Sequence, residues 1–144
     1  FRVTVTDGAG NASAPVAGAA FGAALVSDGS GSIAYRGTWT KGRSSVYLGG
    51  RVRYTGVAGR RATLAFSGLA VAWVASVGPT RGRARVSADG AVQGDYGTNA
   101  ATTRHRQVIA ARTFATAGRH TFRVEVLGSR GHPRIDVDGF VILR

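Results

Sequence analysis

Cysteine and methionine are both missing from the 144 residues of this chain. Without thiols there is no disulfide framework, no thiolate nucleophile and no Cys-based metal site, so redox reasoning assigns no compartment. Carboxylates are scarce, with Glu125 as the one glutamate beside six aspartates, which leaves few candidates for general acid and base work. Lysine occurs once, as Lys41, so arginine supplies nearly all of the 19 basic residues behind a net charge of +12. A composition rich in Ala, Gly, Arg and Val follows in part from a GC-rich genome, yet the excess of base over acid attracts polyanions whatever its origin. No apolar run approaches the ~20 residues that cross a bilayer, so membrane insertion is not expected. The N-terminus shows no basic segment leading into an apolar run and a cleavage site, and any export signal is expected outside this sequence.

What is present points to β-structure. Glycines number 22 against 3 prolines, which suits many turns between short elements, and the length suits one domain with a real core. Residues 1–13 alternate apolar and polar and stop at a Gly/Asn turn, which reads as a strand without its hairpin. Residues 14–20 have the small-residue composition of a linker, and the globular unit is expected over 21–144. Strand-like runs recur at about 21–26, 33–39, 46–54, 61–67, 69–76, 82–88, 91–96, 105–114, 119–127 and 134–143, a spacing that favours an antiparallel β-sandwich or barrel. The run 121–127 puts Phe122, Val124 and Val126 on one face and Arg123 and Glu125 on the other. Arg81, Arg83 and Arg85, two apart, are expected on one basic face of their strand. Asp89-Gly90 reads as a hairpin turn. The run 69–76 is apolar on both faces, so it is either a central strand or one whose Trp73 faces a ligand.

Enzyme motifs are wanting. There is no G-x-S-x-G elbow, and His105, His120 and His132 lack metal-ligand spacing. Asp136 and Asp138 come nearest to a carboxylate pair. Calcium is one reading of them; pairing with arginines or with loop amides is the other and is preferred. Sugar sites stack pyranose faces on Trp or Tyr and orient them with a few polar groups. Trp39 and Tyr47, flanking the turn-like residues 40–45, are the better aromatic candidates. Alternating arginines could follow phosphates, but no nucleic-acid motif accompanies them, and no specific nucleic-acid partner is expected.

The order of Ile33-Ala34-Tyr35-Arg36-Gly37-Thr38-Trp39, Tyr47-Leu48-Gly49-Gly50, Val71-Ala72-Trp73-Val74, Gly78-Pro79-Thr80-Arg81-Gly82, Asp89-Gly90, Gly118-Arg119-His120-Thr121 and the run from His132 to Phe140 resembles a family of exported bacterial jelly-roll domains. These belong to the galactose-binding-like class and are related to carbohydrate-binding modules. The likeness spans residues 24–143. Residues 1–13 resemble the last strand of a bacterial immunoglobulin-like repeat. The resemblance implies an all-β antiparallel sandwich of jelly-roll type, appended to a larger secreted or cell-surface protein. It also implies a noncatalytic role in binding polysaccharide or cell-wall glycan, with no cofactor. Calcium often braces such folds, but the early paired glutamates of one such site are lacking here. The expected ligand-binding residues are Trp39, Tyr47, Trp73, Arg81, His132, Arg134 and Asp136. The alternative is a structural spacer or adhesion domain with no small-molecule site. Self-association through the exposed edges of Phe1 to Thr6 is a further expectation.

Overall fold

The computed structural model describes residues 22–144 continuously, together with 2–3, 6, 8–9, 12–13 and 16–17. Among the described residues twelve strands are formed: β1 (Arg2–Val3), β2 (Val16–Ala17), β3 (Ala23–Ser27), β4 (Ile33–Arg36), β5 (Thr40–Arg43), β6 (Arg51–Thr55), β7 (Arg61–Val77), β8 (Arg83–Ala88), β9 (Ala91–Gly97), β10 (Arg104–Val126), β11 (Ile135–Val137) and β12 (Gly139–Leu143). All strand pairs are antiparallel. The main sheet runs β3-β12-β7-β10-β8-β9 with β4 on β7, and a smaller sheet runs β11-β6-β5. The architecture is the expected antiparallel jelly-roll sandwich. Its core gathers Trp73, Phe122, Phe140, Leu64, Ile135 and Ile142, all below 2% exposed. Phe122, Val124 and Val126 lie in it as their alternation predicts.

Two long strands organise the molecule. β7 and β10 pair along most of their length; β7 changes its other neighbour partway, and β10 has one along only part of its length. The first part of β7 pairs with β4 at residues 61–64, and the later part pairs with β12 at residues 70–74. β10 carries β8 only along residues 122–126. The change of neighbour coincides with a change of phase in β7. The positions that join the main core are Ala62, Leu64 and Phe66 before Gly68, then Val71, Trp73 and Ala75 after it, with Val74, Ser76 and Val77 also buried on the later part. Because side chains alternate with period two, even-to-odd switching means that the core-facing side slips by one residue. Gly68 is needed there, since a Cβ would stand 2.5 Å from the Leu143 carbonyl oxygen and 2.7 Å from Ile142 Cγ2. Opposite it, β10 advances from Thr113 to Gly118 while β7 retreats only from Ala70 to Gly68, so three extra residues bulge outward.

Several expectations shift at this level. The runs 61–67 and 69–76 are one strand, as are 105–114 and 119–127. The run 134–143 divides into β11 and β12. Residues 40–43, read as turn-like, form the edge strand β5. Arg81 does not share a face with Arg83 and Arg85: it precedes β8 and is buried, whereas the other two are exposed. Asp89 and Gly90 join the paired Ala88 and Ala91 with φ of 48° and 83°, the positive values a two-residue hairpin turn requires. Near the N-terminus, Arg2 and Val3 pair with Ala17 and Val16, and Thr6 bridges Ala12. The strand therefore has a partner within residues expected to be linker. The rest of the Phe1 to Thr6 edge lies outside the described residues.

Candidate functional site

Most of the seven residues expected to bind ligand gather around β11, but they close on one another. Asp136 is fully buried and takes an arginine on each oxygen. Arg81 Nη2 lies 3.1 Å from Oδ2, and Arg134 Nε pairs with Oδ1. The Arg134 guanidinium also lies 3.7 Å over the Tyr54 ring. Trp73 is 0% exposed, and its Nε1–H donates to the Asp136 carbonyl at 3.2 Å. Its ring cannot meet a sugar. His132 adjoins this cluster, its carbonyl oxygen closing against Gly82. Trp39 stands apart, buried edge-on to Tyr35 at 5.2 Å with its Nε1–H directed at the Arg36 carbonyl. The expectation that Trp39 and Trp73 stack on ligand is thus corrected: in a sandwich the largest apolar surfaces gain most by entering the core. Tyr47, His132 and Arg134 remain half-buried.

The contacts of the aspartate pair are those of the preferred reading, arginines for one residue and a loop amide for the other. Asp136 binds arginines, whereas Asp138 Oδ1 accepts the Leu48 amide at 2.8 Å. That bond pins the short 3-10 turn Leu48–Gly50 to the strand end. Arg106 holds the same loop by donating to the Ser45, Val46 and Tyr47 carbonyls. Burial pushes the Asp138 carboxyl up to about 6, and the Leu48 amide and Arg106 offset only part of it. Among the described residues no group of three His or acidic side chains is placed to hold a metal ion.

An open concavity lies elsewhere, where β7 changes neighbours opposite the β10 bulge. A groove of ≈ 570 Å³ is lined by apolar Val26, Phe66 and Ile142 and by polar Ser32, Ser67, Asp89, Arg119, His120, Thr121 and Arg144. A second depression of ≈ 620 Å³ shares Ser67, Arg119 and Arg144 and runs over Gly68 and Gly118. Those two glycines are cross-strand partners, so backbone free of side chains lies under that part. Asp89 anchors the polar lining: Oδ1 accepts the Thr121 amide at 2.7 Å, and Oδ2 lies 2.7 Å from His120 Nδ1. The Thr121 and His120 bonds hold its carboxyl below the usual carboxylate range. A carboxylate only accepts, so Nδ1 carries the proton. The His120 ring stacks on Phe114 at 3.6 Å and is flanked by Phe66 at 5.8 Å. Its Nε2 is buried and has no hydrogen-bond partner, so no groove hydroxyl is placed for activation by the Asp89–His120 pair.

The site was missed at the sequence level, although its signal was there. Two strand-like patterns were interrupted, at Gly68 and between residues 114 and 119. The fold sets these interruptions against each other, and the groove lies across them.

No protein-family model matches the chain, and no curated protein matches it in sequence. Solved structures share its fold. Paenibacillus xanthan lyase is 13% identical with a TM-score of 0.61, the match covering 81% of this chain and 12% of that one. The catalytic domain of GH87 alpha-1,3-glucanase in complex with nigerose is 13% identical with a TM-score of 0.54, over 83% of this chain and 28% of that one. A family two carbohydrate esterase from Cellvibrio japonicus is 13% identical with a TM-score of 0.51, over 86% and 33%. The chain therefore spans between 12% and 33% of the length of these proteins. At that identity the likeness establishes the jelly-roll fold. The three are a xanthan lyase, an alpha-1,3-glucanase and a carbohydrate esterase.

Proposed function

We propose that this chain is a noncatalytic accessory module of a secreted or cell-surface bacterial protein, and that it binds carbohydrate, either a polysaccharide or a cell-wall glycan. The observation that carries the reading is the groove across the β7 neighbour change. It joins apolar side chains to hydroxyl, carboxylate and guanidinium groups, the mixture that recognises a pyranose. The occurrence of this fold in a polysaccharide lyase, a glucanase and a carbohydrate esterase supports it. A noncatalytic role fits the groove chemistry, in which Asp89 is engaged twice and is the one carboxylate among the lining residues. Affinity electrophoresis against a polysaccharide panel tests the reading. Retardation of the parent chain, abolished by filling the groove with Ser67→Trp and kept by Tyr47→Ala, is the expected result.

A spacer or adhesion domain with no small-molecule site is the second reading, favoured by the burial of both tryptophans. No retardation by any glycan would support it. The proposal extends to the N-terminal segment as a remnant of an upstream immunoglobulin-like repeat, able to associate with a second copy. Light scattering with and without residues 1–13 tests that part, and unchanged mass per particle would count against it.

A further inference from the structure

We infer that the groove selects acidic glycans, with Arg119 and Arg144 gripping the carboxylate or sulfate of a charged sugar unit. This rests on the glycan-binding reading of the same groove and narrows it to a ligand class. The starting observation is where the negative charge of the chain goes. Among the described residues, all six carboxylate side chains are already engaged. Asp28 pairs with Arg53, Glu125 with Arg61, Asp95 with Arg85, and Asp136 with Arg81 and Arg134. Asp89 is held by His120 and Thr121, and Asp138 by the Leu48 amide. Among the described residues no acidic side chain is left over for the remaining arginines.

Many of those arginines stand exposed on strands, where water solvates them at little cost. Arg119 and Arg144 differ because both line the groove and the depression that continues it. Neither side chain has an ion-pair partner among the described residues. An anion entering here meets two planar guanidinium forks, which suit carboxylate and sulfate oxygens. The glycine pair beneath removes side chains that would hold a sugar ring away from them. The Ser67 hydroxyl lies on the strand position paired with Arg119, within the lining of both depressions. Asp89 lines the groove but not the depression that continues it and disfavours an anion beside it, which orients the ligand: charged substituent toward Arg119 and Arg144 over the depression, hydroxyls toward Asp89, Ser32 and Thr121. A net charge of +12 adds long-range attraction and raises the encounter rate.

The probes are an oligogalacturonate, its fully methyl-esterified form, a sulfated dextran oligosaccharide and a neutral dextran oligosaccharide, titrated calorimetrically into the whole chain. The ester keeps the sugar backbone and removes its charge. We expect the acid to bind at least ~10-fold tighter than its ester, with Arg119→Ala and Arg144→Ala each lowering acid affinity about 10-fold and ester affinity less than about 2-fold. Arg43→Ala removes an equal charge from the exposed strand β5 and is expected to leave affinity unchanged, which separates the groove from general electrostatics. The sulfated probe tells which anion is preferred. Equal binding of acid and ester, or equal losses in Arg43→Ala and Arg119→Ala, would overturn the inference while leaving glycan binding intact. Failure of all four probes to bind would overturn the inference together with the reading beneath it. Circular dichroism of each variant confirms folding, and Arg119→Lys, which keeps the charge and loses the fork, is expected to recover only part of the affinity.

Discussion

The Asp136 cluster and the Asp89 groove are made from the same materials, a buried or bridging aspartate, basic side chains and aromatic rings, and only one of them is open. At Asp136 the arginines meet their counter-charge inside the fold, and Trp73 and Tyr54 pack around them. At Asp89 the carboxylate is spent on a histidine and a backbone amide, so the arginines nearby face solvent. The difference teaches that a convergence of Trp, Arg and Asp is poor evidence for a ligand site when the charges balance. Unbalanced charge beside a concavity is better evidence.

The comparison can be broken first at its closed member. Asp136→Ala leaves Arg81 buried and Arg134 half-buried without their partner, and removing one member of a buried ion pair costs about 3–5 kcal/mol. Urea unfolding should show that loss with little change in slope. A loss below about 1 kcal/mol would mean that the cluster is not what fixes β11. Gly68→Ala comes next. The added methyl meets the Leu143 carbonyl and Ile142 where β12 joins β7, and strain of this kind costs roughly 1–3 kcal/mol. An unchanged midpoint would show that the neighbour change tolerates side chains.

Asp138 gives an effect that appears only above pH 4. Its carboxyl is raised by burial to about 6 from an ordinary 3.8, so the folded chain holds this proton more tightly than the unfolded one. Its contribution to stability therefore falls as pH rises from about 4 to 6 and stays low above that. Asp138→Asn keeps an oxygen for the Leu48 amide and cannot ionise. Relative to the parent it should be nearly even at or below pH 4 and more stable by up to about 3 kcal/mol above pH 6. A difference independent of pH would show that the carboxyl titrates normally. The least effect is expected from Arg85→Gln, which removes an exposed ion pair with Asp95. Such pairs are screened by water and salt, and the unfolding midpoint should not move measurably.

Much of the fold was legible because burial leaves a periodic trace. Phe122, Val124 and Val126 gave away the inner face of β10, and Asp89-Gly90 gave away the β8–β9 hairpin. β5 was not legible, since Thr40, Lys41, Gly42 and Arg43 carry no alternation. It is held by backbone pairing to β6 at the sheet edge. Arg81 was misplaced because period-two counting assumes that the strand has already begun, whereas β8 starts at Arg83. The site was harder still. Residues 66–68 and 118–121 are distant in sequence, and nothing in either segment states that the other lies beside it. Trp39 and Trp73 drew attention as aromatic side chains, but their area is what takes them into the core.

Amide chemical-shift mapping of the intact chain during titration with oligogalacturonate tests the central claim most directly. Shifts concentrated at Ser67, Gly68, Gly118, Arg119, His120 and Arg144, with Tyr47, His132 and Arg134 unmoved, are predicted. Shifts concentrated at Tyr47, His132 and Arg134, with the groove silent, would contradict the account and return the binding site to the Asp136 cluster.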